Sequence, residues 1–234
     1  MSHPERPETL ETAETAETAE TAEHSDDGSA DSVRVPTGFN LVPPPGWDTI
    51  PLQMGTKEAI QRIVRKSVSQ LPAGFPKDDI PKARLQLTKE LKETARQARK
   101  SDGLTLYLPV ERMHGMIIPA SFVASAPLGA PKANIEPEAV LVDLARDAEE
   151  ASVRELDGTA AVRTLETCPA DPEKGVEVPS LRVQYTVPIP DSTPALWMTF
   201  SFSTLIAPDM DTEFTETLVE LFDAVMTTFR WSYA

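Results

Sequence analysis

The sequence predicts an α+β fold, an antiparallel β-sheet flanked by helices (an α-β-α sandwich), preceded by an acidic low-complexity tail. Three observations predict it. Segments that alternate apolar and polar residues, such as GLTLYLPV, SLRVQYTVPI and ALWMTFSFST, are joined by short turns, and short turns favour antiparallel pairing. The helical segments carry one apolar stripe each, so they cover a sheet on one side rather than being buried all round. About 200 residues follow the tail, enough to bury roughly 70% of their unfolded surface in one core.

The tail is residues 1–35, with ten acids against two bases, a net charge of −8. Within it, residues 8–23 read ETLETAETAETAETAE. A period of three fits neither the helix nor the strand, and glutamates three apart repel one another on a helix. With Leu10 as its one large apolar side chain, the repeat cannot offset its ordering entropy. Residues 1–35 are therefore expected to be disordered, and 36–234 to form a single α+β domain.

In that domain, Phe39 and Leu41 alternate in a short strand that Pro43-Pro44-Pro45-Gly46 interrupts, and Thr49 to Leu52 makes a second. Residues 55–70 place Ile60, Ile63, Val64 and Val68 at helical spacing, with Thr56 as the expected N-cap. A second helix runs over about 80–100, with Pro81 in its first turn and Leu87, Leu91, Ala95 and Ala98 along one side. Leu104, Leu106 and Leu108 then alternate in a strand. MIIPASFVASAP makes another, where Pro119 points to an edge or a bulge. Residues 136–150 read as a helix with Val140, Leu141 and Leu144 on one side. SVRELDGTAAVRTLE is a hairpin around Asp157-Gly158. Two more strands follow, the second with Trp197, Thr199, Ser201 and Ser203 on one face and Met198, Phe200 and Phe202 on the other. Residues 211–229 form the last helix, with Phe214, Leu218, Leu221, Phe222, Val225 and Phe229 in one stripe and Asp211 or Thr212 as cap.

The opening strand and turn, Phe39-Asn40-Leu41-Val42-Pro43-Pro44-Pro45-Gly46-Trp47, and the closing helix, Leu218-Val219-Glu220-Leu221-Phe222 through Phe229-Arg230-Trp231, enclose an antiparallel meander. Together they resemble the PsbP-like superfamily over about residues 37–232. That superfamily includes the photosystem II extrinsic subunit, a nuclear Ran-binding protein, actinobacterial lipoproteins and DcrB-like chaperones of secretion effectors. The resemblance implies an α-β-α sandwich, no shared catalytic residues, and a binding, adaptor or assembly role. The chain departs from the pattern in its acidic tail, in having two early basic helices, and in showing no lipoprotein signal.

Charge and cysteine content narrow the function. The net charge of −15 opposes general nucleic-acid binding, because phosphate would have to be approached against repulsion. A single cysteine, Cys168, permits neither an internal disulfide nor a Cys-rich zinc site. The N-terminus has no apolar signal region, and no run approaches the roughly 20 apolar residues of a spanning helix, so the cytoplasm is the expected location.

No catalytic constellation, metal site or cofactor motif is visible. His114 is the one histidine of the domain and lacks an evident oriented partner. Cys168 lacks a base to activate it. Asp209, Asp211 and Glu213 suit a helix start better than a calcium loop. The expected activity is thus non-enzymatic binding, as an adaptor or assembly protein acting through protein–protein contacts. One alternative is a chaperone for apolar segments of a secreted or membrane-bound client, with MIIPASFVASAP as the nearest candidate groove. A further alternative is a cryptic enzyme using Cys168 or His114.

The unusual feature is the basic pair of helices. Residues 57–100 carry twelve bases against five acids, a net of +7. Arg62, Arg65, Lys89, Lys92, Arg96 and Arg99 are the candidate partner-binding residues, and the expected partner is an acidic protein. The simpler account is a pair of solvated faces, since the polar sides of surface helices are normally charged. Nucleic acid is disfavoured because neither helix carries an aromatic side chain for base stacking. The opposite charges of the tail and this segment also raise the idea of the tail as an electrostatic cover.

Overall fold

The computed structural model describes residues 34–113, 115–116, 118–126, 137–174, 176–206 and 211–234. The expectations for residues 1–33, for His114 and for Asp209 lie outside these described residues. Among these described residues nine strands and four α-helices follow one another as β1 (Gly38–Asn40), β2 (Trp47–Pro51), α1 (Thr56–Ser69), α2 (Ile80–Lys100), β3 (Gly103–Pro109), β4 (Ala120–Ser125), α3 (Pro137–Asp147), β5 (Glu150–Leu156), β6 (Thr159–Cys168), β7 (Ser180–Pro188), β8 (Trp197–Leu205), α4 (Thr212–Thr227) and β9 (Arg230–Ser232).

Seven strands form one sheet in the order β2-β3-β4-β8-β7-β6-β5, and every neighbouring pair is antiparallel. It is built from two meanders, β2-β3-β4 and β5-β6-β7-β8, joined where β4 lies beside β8. The fold is α+β with helices flanking the sheet, as the alternation and the helical stripes predict.

Each face of the sheet has its own helical cover. On one side Ile50 of β2 and Leu106 of β3 meet Ala59, Ile60, Ile63 and Val64 of α1 and Leu91 and Ala95 of α2. On the other side α4 inserts Leu218, Phe222, Val225 and Met226 against Phe122, Tyr185, Phe200 and Phe202. Phe222 lies at the centre of that second cluster. Its ring stacks on Phe202 at 4.9 Å between centroids and meets Phe122 at 5.4 Å and Tyr185 at 5.8 Å. Such pairs add to the burial of their area.

The chain ends depart from expectation. The last helix stops at Thr227 rather than continuing to 229, because Thr228 turns its hydroxyl back to the Val225 carbonyl at 2.7 Å. Arg230 to Ser232 then form β9, which pairs with β1 in a separate two-stranded sheet. Phe229, between helix and strand, is fully buried and stacks with Phe39 at 6.2 Å. The hairpin turn ties in too, since the Asp157 carboxylate accepts from the Trp231 backbone N–H at 2.9 Å.

Three local readings are corrected. Thr56 is not the cap of α1: Gly55 holds that position in the left-handed region, and the Thr56 hydroxyl donates instead to the Pro51 carbonyl at 2.7 Å. Pro119 marks neither an edge nor a bulge; it precedes β4, a central strand, and its carbonyl accepts from Leu205 N at 3.1 Å. Leu104 does not share the side of Leu106 and Leu108. The β3–β4 register slips between Gly103 and Thr105, and Leu104 packs with the α4 cluster while the other two pack with α1 and α2.

Candidate functional site

The six candidate residues all lie exposed on α1 and α2, the layer outside β2 and β3. Apolar spacing on each helix turns Ile60, Ile63, Leu91 and Ala95 inward, which leaves the basic positions outward. Their surroundings separate them into different groups.

Arg62 is anchored to the sheet edge. Its Nη2 donates to Asp48 Oδ1 at 2.7 Å and to the Thr49 carbonyl at 3.1 Å. Burial works to raise the Asp48 carboxyl, but the Arg62 hydrogen bond, the Thr49 backbone N–H and the charges of Arg62 and Lys66 together hold it below its ordinary value. Arg62 is thus engaged in holding α1 on β2. Lys66 is likewise paired, with Glu111 at 2.7 Å.

On α2, Arg96 forms a fork with Glu93, its Nε 2.9 Å from Oε2. Arg99 reaches across to α1, donating to Thr56 Oγ1 at 3.1 Å. Between the first turn of α1 and the second half of α2 lies a pocket of about 300 Å³ lined by Thr56, Lys57, Lys92, Ala95, Arg96 and Arg99. Three of the candidate residues, Lys92, Arg96 and Arg99, therefore converge. The α1 cation that joins them is Lys57, not Arg62 or Arg65. The spacing of bases along each helix is visible in sequence, but which turn of α1 faces which turn of α2 depends on how the two helices cross. Lys89 lines a neighbouring depression with Lys92 and Arg96, beside the exposed Leu85. Arg65, Lys57, Lys89 and Lys92 make no ion pair among the described residues.

A second concave region lies on the same side of the sheet, beyond the area covered by α1 and α2. Cross-strand registers set three rows on its floor: Ser121–Ser203–Arg182, Val123–Ser201–Gln184 and Ser125–Thr199. Thr94, Gln97, Ala98 and Ser101 of α2 form its wall, and the groove measures about 620 Å³. The alternation in ALWMTFSFST shows in sequence that Thr199, Ser201 and Ser203 share a face. It does not show that Ser121 and Ser125 complete the array, because that requires β4 to lie beside β8.

Cys168 closes β6 beside this face. Its Sγ lies 3.9 Å from Glu166 Oε1, and Glu166 is itself paired with Arg182 at 3.0 Å. Burial, the largest influence, pushes the thiol above its ordinary value, with Arg182 acting in the opposite sense. A raised thiol is a poorer source of thiolate. The MIIPASFVASAP segment turns Phe122 and Ala124 into the core, at 1% and 0% exposure, while Ser121, Val123 and Ser125 of the same strand line the groove just described. Among the described residues there is no cluster of three or more His, Cys, Asp or Glu able to hold a metal, and no helix is long and apolar enough to cross a membrane.

Sequence reasoning missed Arg163, read only as part of a hairpin. It is 5% exposed and bonded to Asp223 and Glu150. Its position among apolar neighbours in TAAVRTLE, within a strand whose two faces are both covered in part, is the one signal that marks it. No protein-family model and no curated protein matches this chain.

Proposed function

We propose that this chain is a non-enzymatic binding or assembly protein that engages an acidic protein partner through the outer surface of α1 and α2, in the cytoplasm. The observation that carries this reading is the set of exposed bases with no acidic partner among the described residues, Arg65, Lys89 and Lys92, on one helical layer of an otherwise strongly acidic chain. Complementary charge steers encounter and selects partners more than it adds affinity, so such a surface suits a regulated, salt-sensitive contact. The PsbP-like resemblance, an α-β-α sandwich without shared catalytic residues, supports the same reading. The enzymatic alternative through Cys168 is disfavoured by its raised thiol, and the chaperone alternative by the hydroxyl-rich floor, Ser121, Ser125, Thr199, Ser201 and Ser203, of the groove that β4 borders.

The test compares affinity capture from host extract by the natural chain and by R65E/K89E, both checked for equal melting temperature. A partner with an acidic surface should be retained by the natural chain at low salt, released as salt rises, and lost from the variant. Identical captured sets from the two proteins would overturn the proposal.

A further inference from the structure

The pocket between α1 and α2 has a composition that a solvated helix face does not require. Four of its six lining residues are cations, contributed from two helices on opposite sides: Lys57 from α1, and Lys92, Arg96 and Arg99 from α2. Like charges gathered around one concavity repel each other, so their convergence costs stability unless an anion sits among them. Glu93 engages one of the four, Arg96. Arg99 is bonded to a neutral hydroxyl, Thr56 Oγ1, whose own proton goes to the Pro51 carbonyl. Lys57 and Lys92 have no acidic partner among the described residues. Among the described residues three positive charges therefore remain uncompensated around about 300 Å³, the lower end of the size range of small-ligand sites.

We infer that this pocket binds a phosphoryl group of a small ligand. A single carboxylate is planar and satisfied by one guanidinium fork, and here one such fork is already used by Glu93. A phosphoryl dianion carries more charge and accepts hydrogen bonds in tetrahedral directions, so it can take donors from both helices at once. Arg99 is held in place by Thr56 before the ligand arrives, which lowers the ordering cost of binding. Ala95, buried at the floor, leaves room for close approach. A nucleic-acid strand is the wrong size of ligand: the lining has no aromatic side chain to stack a base.

This inference does not rest on the protein-partner proposal: Lys92 is common to both, but Lys57 and Arg99 belong to the pocket alone and Arg65 and Lys89 to the outer surface alone. The test titrates the full chain with inorganic pyrophosphate at low salt, following backbone amide shifts, with citrate as a carboxylate of similar charge. Saturable shifts centred on Thr56, Lys57, Ala95 and Arg99 are expected, with citrate at least tenfold weaker. K57A and R99A should each weaken pyrophosphate about tenfold, the equivalent of one charge-assisted hydrogen bond, while R65A and K89A leave it unchanged. Co-sedimentation with phosphatidylcholine vesicles containing phosphatidic acid separates the two sources of the group. Sedimentation abolished by K57A/R99A assigns a lipid headgroup, and pyrophosphate binding without sedimentation assigns a soluble phosphorylated molecule. Shifts that do not saturate, equal binding of citrate, or equal losses in R65A and K89A would overturn the inference.

Discussion

Arg163 Nε lies 2.9 Å from Asp223 Oδ1, joining the middle of β6 to α4 beneath the helix. The guanidinium is almost fully enclosed, whereas the carboxylate keeps about a third of its side chain exposed. Asp223 also accepts the Tyr185 hydroxyl at 2.8 Å, and Glu150 lies 3.2 Å from Arg163 Nη1. One carboxylate thus fixes α4 to two strands. Removing one partner of a buried pair leaves the other charge uncompensated, which is the costly case. Asp223→Ala is expected to destabilise the fold by about 2–3 kcal/mol, less than a fully enclosed pair because Glu150 remains and Asp223 is partly solvated. Tyr185→Phe should cost about 1 kcal/mol by losing one hydrogen bond. Urea unfolding of the two variants measures both values, and equal stability of Asp223→Ala and the natural chain would refute the anchoring role.

Phe222 gives the corresponding apolar prediction. It is 2% exposed and touches three aromatic rings from β4, β7 and β8. Phe222→Ala removes those contacts and leaves a cavity between helix and sheet, at a cost of about 3–5 kcal/mol. Chemical denaturation monitored by circular dichroism reads it directly. A variant as stable as the parent would mean that α4 docks elsewhere in solution.

The apolar patterns carried most of the architecture. Alternation in ALWMTFSFST placed Met198, Phe200 and Phe202 in the core, and the stripe Leu218, Phe222, Val225 placed α4 over them. Asp157-Gly158, with φ of 48° and 77°, makes the hairpin turn that this dipeptide favours. What sequence could not show was set by long-range pairing. β1 meets β9 across the length of the domain, Gly38 opposite Ser232 and Phe39 opposite Trp231, and no local rule connects Phe39 with Trp231. The phosphoryl pocket was half legible: Lys92, Arg96 and Arg99 were singled out by charge. Lys57 joins them only because α1 and α2 cross with its first turn beside Arg99.

Gly103, the first residue of β3 after α2, is a second position fixed by contact rather than by pattern. A Cβ there would lie 2.6 Å from the Ala98 carbonyl oxygen and 2.7 Å from Leu52 Cδ1. The first of these is backbone in the last turn of α2 and cannot swing aside. Gly103→Ala must therefore push α2 from the sheet edge, with an overpacking cost of about 1–3 kcal/mol. The expected readout is a lower melting temperature with amide exchange quickened along α2 and β3. Unchanged exchange in those elements would show that the α2–β3 junction tolerates the methyl group.

The last prediction concerns alkaline stability and the two core tyrosines. Tyr107 stacks on Phe122 with ring centroids 4.1 Å apart, and burial pushes its phenol from an ordinary value of 10.0 up to about 12. Burial pushes Tyr185 higher still, and its hydrogen bond to Asp223 adds to that shift because a phenolate there would face a carboxylate. In both cases the folded state favours the neutral phenol more than the unfolded state does. The folded pKa lies above the unfolded one, so this contribution is fully present below about pH 10 and is lost as pH rises toward the folded values. The urea midpoint should therefore fall between about pH 10 and 12. Tyr107→Phe should match the natural chain near pH 7 and exceed it near pH 11, because phenylalanine has no proton to lose. Tyr185→Phe should start lower, having lost its bond to Asp223, and then decline less steeply. Phenolate absorbance from both residues should appear together with the loss of circular dichroism. Titration of Tyr107 near pH 10 in a fully folded protein, or parallel pH profiles for the natural chain and Tyr107→Phe, would show that its hydroxyl reaches water from within the fold.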